Sequence, residues 1–158
     1  MKNLSKNLSP KPSLLPMEQA LLAAKEAAIA GEVPVGAVIV FDGQIISTAR
    51  NCMRELTDAT AHAEMLVIRK AMEKLGVERL ENCDLYVTLE PCTMCAGAIS
   101  HARLRRVYYG AGDEKAGALE NGVRFFEQDT CHHKPEIISG ISQNKSRDLL
   151  KSFFSSRR

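Results

Sequence analysis

The chain has 158 residues, of which 45% are hydrophobic and 25% are charged, and its formal net charge at pH 7 is +2. This length is that of one domain with an ordinary core, and this composition excludes a fibrous or largely disordered protein. The charge is too small to identify a nucleic-acid partner, and the sequence contains neither a membrane-spanning run nor the apolar segment of a secretory signal.

The predicted organisation is a short tail followed by one domain. Residues 1–16 are rich in Ser, Pro, Lys and Asn, which predicts a flexible N-terminal tail, and residues 17–158 are expected to form the domain. Pro16 suits the start of a helix over 17–30, which Gly31 is expected to end.

An antiparallel hairpin follows, because strand-like runs flank the turn signal Asp42-Gly43. The later elements are predicted in this order: a polar loop over 52–60, a helix from Ala61 or His62, a strand over 84–90, a helix over 91–102, a strand over 105–109, a connection over 110–135, a strand over 136–139 and a helix over 142–155. Strands that alternate with helices pair in parallel and carry helices on both faces of the sheet. We therefore expect an α/β fold of three layers, α/β/α, around a five-stranded mixed sheet.

Two short runs of sequence, T-A-H-A-E and T-L-E-P-C-T-M-C, carry the candidate chemistry. His62, Cys92 and Cys95 supply three zinc ligands, and three protein ligands leave the fourth position of a catalytic zinc to water. Cys92 and Cys95 are three residues apart, so a helix presents both on one face, and Pro91 suits its first turn. His62 and Glu64 are two residues apart and converge only at a helix N-terminus. We therefore expect zinc between the N-terminal ends of two helices.

Glu64 is predicted to be the catalytic residue. A structural zinc site has no need of a free carboxylate, whereas a hydrolytic site needs a group that takes a proton from water and delivers it. The combination of H-x-E with P-C-x-x-C is the signature of zinc-dependent base deaminases. The alternative is a structural zinc with a fourth protein ligand, but none of the remaining candidates stands at ligand spacing from the first three: Cys52, Cys83, Cys131 and His101. Cysteines that bind metal or stay free argue for a reducing compartment.

These motifs resemble those of the bacterial tRNA-specific adenosine deaminase family, part of the cytidine deaminase-like superfamily. The similarity runs over residues 18–158 and includes the segments 32–37, 60–64, 88–97, 109–111, 113–118 and 149–158, together with Asn51. One departure is the L-E-N-G run after Ala118, where many members of the family have a Gly-Ser pair.

The resemblance implies a cytidine deaminase-like fold, one zinc ion per subunit and a cytoplasmic homodimer. It implies hydrolysis of adenosine to inosine at the wobble position of a tRNA anticodon stem-loop, with release of ammonia. It also implies substrate-binding roles for Asn51 on the flipped base, for Val35 at the pocket entrance, for Asp113 and Lys115 on the anticodon loop, and for Phe154 and Arg157 on the RNA.

The residues themselves leave simpler interpretations open for several of these positions. Asn51 is also a common strand-end or turn residue, and Asp113 and Lys115 also suit a polar turn. Phe153 and Phe154 are about 100° apart on a helix, so one is expected in the core and the other on the surface.

Other polar features have weaker functional interpretations. His132 and His133 match a pair found in the family, and we expect them to pack in a loop rather than bind metal. Basic residues cluster in 142–158 and again in 103–106, which usually indicates a solvated face.

Two rival functions remain at this stage. The first is deamination of a free base or nucleoside, such as guanine or cytosine, because the zinc motifs do not distinguish it. The second is a zinc-stabilised RNA-binding subunit without catalysis, against which Glu64 argues.

Overall fold

The structure, a computed structural model, describes residues 15–157. The predicted tail lies outside the described residues except for Leu15 and Pro16, and so does Arg158. The described part contains α1 (Pro16–Ile29), β1 (Gly36–Phe41), β2 (Gln44–Arg50), α2 (Ala63–Leu75), β3 (Cys83–Leu89), α3 (Thr93–Ala102), β4 (Arg106–Ala111), a 3₁₀ helix (Phe125–Glu127), β5 (Glu136–Ile138) and α4 (Gln143–Ser155). Within residues 15–157, no helix has the length and apolar character needed to cross a membrane.

The five strands form one mixed sheet in the order β2-β1-β3-β4-β5. β1 is antiparallel to β2 and β3, whereas β3, β4 and β5 are parallel to one another. The hairpin turns at Asp42 and Gly43, whose φ angles of 51° and 75° are both positive, as a type I′ turn requires. The predicted mixed sheet is therefore confirmed.

Helices cover both faces of this sheet. α2 and α3 pack on one face around a large apolar core, and α1 and α4 lie on the other face. α1 approaches β1 so closely that a Cβ atom on Gly36 would stand 1.9 Å from the carbonyl oxygen of Ala20. The three-layer α/β/α architecture is thus confirmed, and the parallel strands β3 and β4 run through its middle.

The start of α3 differs from the sequence prediction. α3 begins at Thr93 rather than at residue 91, because Cys92 is extended, with ψ of 176°, and is the N-cap residue. Pro91 therefore lies before the cap rather than in the first turn, and its carbonyl oxygen accepts a hydrogen bond from the Ala118 N–H. This shift places Cys92 at the junction between β3 and α3.

Candidate metal centre and its surroundings

The structure brings together the three side chains that the sequence predicts as zinc ligands. His62 is the N-cap residue of α2, Cys92 is the N-cap residue of α3, and Cys95 lies in the first turn of α3. The Nδ1 atom of His62 lies 3.6 Å from Cys92 Sγ and 3.4 Å from Cys95 Sγ. The cluster therefore lies between two helix N-termini, at the end of β3.

The spacing of these atoms fits a zinc ion. A tetrahedral zinc with ordinary Zn–S and Zn–N bonds separates its nitrogen and sulfur ligands by about 3.6 Å. The three ligand atoms all lie within 4.8 Å of one another, and His62, Cys92 and Cys95 are the only such group of three among residues 15–157. Three ligands without a fourth protein group are typical of a catalytic zinc site.

The electrostatics of the two thiols also favour a cation. The Cys95 thiol and the His62 imidazole lower the pKa of the Cys92 thiol to about 4, although burial opposes them. The neighbouring Cys92 sulfur and burial together raise the pKa of the Cys95 thiol. The positive ends of the α2 and α3 dipoles add support for negative charge at this point. A divalent cation would stabilise both sulfurs as thiolates.

Glu64 lies in the first turn of α2, directly beside this cluster. Its side chain is 4% exposed, and burial raises the pKa of its carboxyl. Besides burial, the groups that act on this pKa are its own backbone N–H, the His62 imidazole and the thiols of Cys92 and Cys95. The carboxyl can therefore hold or release a proton within reach of the metal ligands.

Asn51 directly follows β2, the strand-end position that the sequence allows, and its side chain makes two contacts that the sequence did not indicate. Its Nδ2 donates to the Val33 carbonyl oxygen at 3.2 Å, and its Oδ1 accepts the Ala63 N–H at 2.8 Å. The side chain thus joins the end of β2 to the first residue of α2, next to His62. One amide hydrogen and one lone pair are left for another partner, and the role of Asn51 in base binding stays a prediction.

The other predicted substrate contacts fall into two groups. Val35 is 5% exposed and belongs to the core, so its side chain presents little surface. Asp113 accepts the N–H groups of Lys115 and Ala116 through Oδ1, which closes the polar turn that the sequence allows, while Lys115 itself is exposed.

At the end of α4 the two phenylalanines separate as expected. Phe153 is 8% exposed, whereas Phe154 is 49% exposed. The guanidinium of Arg157 lies 3.8 Å from the centre of the Phe153 ring, a cation–π contact that fixes the direction of the arginine. Phe154 and Arg157 are therefore both available at the surface, and their contact with RNA stays a prediction.

The second basic cluster is remote from the metal centre. Arg105 makes two hydrogen bonds to Asp84, and Arg106 pairs with Glu136. These residues stand at the start of β3, β4 and β5, the edge of the sheet opposite the cysteines. The interpretation as a solvated face holds for Arg105 and Arg106, and the structure adds that both side chains are paired with acidic residues.

The predicted loop-packing role of the histidine pair holds for His133. Its Nε2 lies 2.6 Å from the carbonyl oxygen of Leu104, and its own carbonyl oxygen accepts from Ser100 and Cys131. The imidazole therefore fastens the connection before β5 to the end of α3.

Sequence reasoning missed two buried carboxylates that organise loops around the site. Glu32 and Glu90 are each 2% exposed. Glu32 accepts the backbone N–H groups of Arg54 and Glu55. Burial raises the pKa of Glu90, but hydrogen bonds from Asp113 and its loop outweigh burial, and the pKa lies below its usual value. The one sequence signal for Glu90 was that an acidic residue stands at the end of an apolar strand, directly before P-C-x-x-C.

Several known proteins are similar to this chain in sequence and in fold. Residues 13–111 match the cytidine and deoxycytidylate deaminase zinc-binding region. The tRNA-specific adenosine deaminase of Agrobacterium fabrum (strain C58) is 58% identical over 142 residues, which cover 90% of this chain and 93% of that protein. A structure solved in a study of A-to-I editing by tRNA:A34 deaminases at the wobble position of transfer RNA has 59% identity and a TM-score of 0.85, and the match covers 85% of this chain and 98% of that chain.

A more distant neighbour shares the fold with a different activity in its name. The guanine deaminase of Bacillus subtilis is 32% identical with a TM-score of 0.60, and the match covers 90% of this chain and 91% of that chain. The first two matches are much stronger in identity and span almost the whole of the related proteins. The chain therefore belongs to the cytidine and deoxycytidylate deaminase family and, within it, to the tRNA-specific adenosine deaminases.

Proposed function

We propose that this chain is a zinc-dependent enzyme that hydrolyses adenosine to inosine at the wobble position of a tRNA anticodon. The observation that carries the proposal is the buried Glu64 carboxyl beside a cluster of one imidazole and two thiols. The cluster supplies the ligands of a catalytic zinc, and the carboxyl supplies the proton carrier that a purely structural site would not need.

The chemistry follows from these side chains. His62, Cys92 and Cys95 would hold the zinc ion, which would lower the pKa of a water molecule toward about 7 and so supply a nucleophile at neutral pH. Glu64 takes the proton that the attacking water loses and delivers it to N1 of adenine, while C6 gains the oxygen. Glu64 then carries the second proton from that oxygen to the amino group, so that ammonia leaves and inosine remains. Such proton transfer by a positioned carboxylate contributes roughly 10²–10⁴-fold to the rate.

The tRNA substrate is supported by the related proteins and by exposed cationic and aromatic side chains of this chain. An anticodon loop offers its wobble base without the free-energy cost of opening a duplex. Lys115 and Arg157 are exposed cations that suit phosphate groups, and the exposed ring of Phe154 suits stacking on a base. In this scheme Asn51 holds the flipped base, Val35 borders the pocket entrance, and Asp113 and Lys115 contact the anticodon loop.

We further propose the assembly that the family resemblance implies. Residues 17–158 form one deaminase domain, each subunit holds one zinc ion, and two subunits form a cytoplasmic homodimer. Elemental analysis gives the zinc content per chain, and sedimentation equilibrium gives the number of chains per particle. A zinc-loaded monomer with full activity would contradict the dimer but not the reaction.

The test of function uses zinc-loaded protein and an anticodon stem-loop with adenosine at the wobble position, followed by nucleoside analysis. We expect inosine at that position from the wild type. Glu64→Gln should retain zinc and lose inosine formation, because glutamine cannot carry the proton. Glu73→Gln is the matched control, since Glu73 is an exposed residue on the same helix. Inosine formation by Glu64→Gln at the wild-type rate would exclude the proposed role of Glu64.

The second candidate function is deamination of a free base, which the 32% identity to a guanine deaminase favours. A panel of guanine, cytosine, adenine and their nucleosides, assayed for ammonia, distinguishes the two candidates. Ammonia from a free base with none from the stem-loop would replace the tRNA proposal.

A further inference from the structure

A third acidic residue at the candidate site has no role in the proton transfers. Glu90 directly follows β3, which ends at Leu89, and directly precedes Pro91 and Cys92. Its carboxylate is 2% exposed and accepts five N–H groups from one loop, residues 113–121, called the 113–121 loop below. The donors are the backbone N–H groups of Asp113, Leu119, Glu120 and Asn121, each at 3.0 Å, and Nδ2 of Asn121 at 2.6 Å.

The backbone of the 113–121 loop also contacts the segment that carries the metal ligand. Gly117 forms an isolated bridge with Cys92, and the Ala118 N–H donates to the Pro91 carbonyl oxygen at 2.9 Å. Gly117 lies so near Glu90 that an added Cβ would stand 2.5 Å from the Glu90 Cδ. The loop therefore surrounds the carboxylate and also contacts Cys92 through Gly117.

The energetics make this carboxylate a strong anchor. Hydrogen bonds to an ionised acceptor are roughly twice as strong as those between neutral groups. A buried amide N–H that loses its acceptor carries its full desolvation cost. Because Glu90 serves five donors of one loop, replacement of its carboxylate would weaken all five hydrogen bonds together.

The contacts of Glu90 also indicate a role different from the proton transfer proposed for Glu64. The oxygens of Glu90 are occupied by amide donors, whereas the Glu64 carboxyl faces the metal ligands. The 113–121 loop carries Asp113 and exposed Lys115, which the proposed function assigns to the RNA. The order of the loop therefore bears on substrate binding, and the proton transfers belong to Glu64.

We propose that Glu90 is a positioning residue, whose carboxylate fixes the 113–121 loop against Cys92 and thereby sets the affinity of the enzyme for its RNA substrate. The second half of this inference rests on the proposed function, and the anchoring of the loop does not. The residue acts through the loop, without contact with the reacting atoms.

Glu90→Gln tests the inference, because glutamine keeps the size of the side chain, removes its charge and turns an NH₂ group toward the loop's donors. In zinc-loaded full-length protein, we expect amide hydrogen exchange at Leu119, Glu120 and Asn121 to rise at least tenfold. KM for the anticodon stem-loop should rise about tenfold, which corresponds to 1.4 kcal/mol of binding free energy. The value of kcat should stay within threefold of wild type, and zinc should stay bound.

Glu32→Gln is the matched control, since Glu32 is an equally buried carboxylate with backbone donors in a different loop. It should speed exchange at Arg54 and Glu55 and leave residues 119–121 unchanged. If Glu90→Gln does not fold, Asn121→Ala removes one of the five donors and should give a smaller rise in exchange and a two- to threefold rise in KM.

Three results would overturn the inference: unchanged exchange in the loop, faster exchange with unchanged KM, or loss of zinc from Glu90→Gln. Loss of zinc would mean that Glu90 supports the metal centre rather than the loop. A wild-type enzyme that forms no inosine would refute the proposed function and the link to RNA affinity, while the exchange measurement would still decide whether Glu90 anchors the loop.

Discussion

Glu64 and Glu90 occupy matching places on the two sides of the metal centre, yet their surroundings are opposite. Glu64 follows His62 by two residues, and Glu90 precedes Cys92 by two residues. Both side chains are at least 96% buried, with exposed fractions of 4% and 2%. Burial raises the pKa of the first, whereas N–H donors of Asp113, Leu119 and Asn121 outweigh burial and lower the pKa of the second.

Burial alone therefore does not identify a reacting carboxyl. A carboxylate whose oxygens are all occupied by N–H donors stays ionised and holds structure in place. A buried carboxyl with few donors can exchange a proton with a neighbour. The partners of the two oxygens, rather than the depth of the side chain, are the observations that support the proposed roles of Glu64 as proton carrier and Glu90 as anchor.

Removal of a metal ligand should have the largest effect, because both carboxylates are proposed to act in an enzyme that needs the zinc. Cys95→Ala should lose zinc and form no detectable inosine, because two remaining ligands hold zinc weakly. Elemental analysis and nucleoside analysis check these outcomes. Cys131→Ala is the matched control, since Cys131 is a free cysteine outside the cluster and should retain zinc and activity.

A large, kinetically distinct effect should separate the two carboxylates. Glu64→Gln should lower kcat by roughly 10²–10⁴-fold and leave KM almost unchanged, because it removes proton transfer. Glu90→Gln should show the reverse, a higher KM with nearly constant kcat. Steady-state kinetics on the stem-loop measure both. The same change in kcat for the two variants would mean that the two carboxylates do not differ in function.

A moderate effect on stability is expected at Glu32, the buried carboxylate farthest along the chain from Cys92 and Cys95. Glu32→Gln should lower the free energy of unfolding by about 1–3 kcal/mol at pH 7, because buried N–H donors lose their acceptor. Denaturant unfolding measures this change. The N–H groups of Arg54 and Glu55 outweigh burial and hold the pKa of Glu32 below its usual 4.5. The stabilisation is therefore present above about pH 4.5 and is lost as the pH falls through the folded-state pKa.

The pH dependence gives a direct control for that prediction. Wild type and Glu32→Gln should differ most at neutral pH and converge at acidic pH, where the wild-type carboxyl is protonated. A difference that stays constant down to pH 3 would mean that the charge of Glu32 contributes nothing to stability.

Much of this molecule could be predicted from its sequence because its signals are local. Apolar periodicity and the Asp42-Gly43 turn gave the order of helices and strands, and ligand spacing gave the three side chains that cluster. The start of α3 was predicted two residues early, since Cys92, the N-cap residue, has an extended backbone that forms a bridge with the distant Gly117.

The anchoring carboxylates could not be predicted for a different physical reason. The donors to Glu32 and Glu90 are almost all backbone N–H groups from loops more than 20 residues away in sequence. Any residue except proline supplies a backbone N–H, so the donor loop carries no sequence mark of its role. The structural contacts of Asn51 were missed in the same way, because its partners are the backbone of Val33 and Ala63.

The smallest expected effect is at the far edge of the sheet, where charged side chains pair with one another instead of with loop amides. Arg105→Gln should leave KM and kcat for the stem-loop unchanged, because Arg105 is paired with Asp84 at the end of β3 that lies opposite Cys92 and Cys95.

Lys115→Gln removes the same charge from the 113–121 loop and should raise KM several-fold. It should also reduce the slope of log affinity against log salt by about one, as the loss of one phosphate contact does. Equal effects of the two substitutions would mean that net charge, rather than the position of the anchored loop, governs RNA binding.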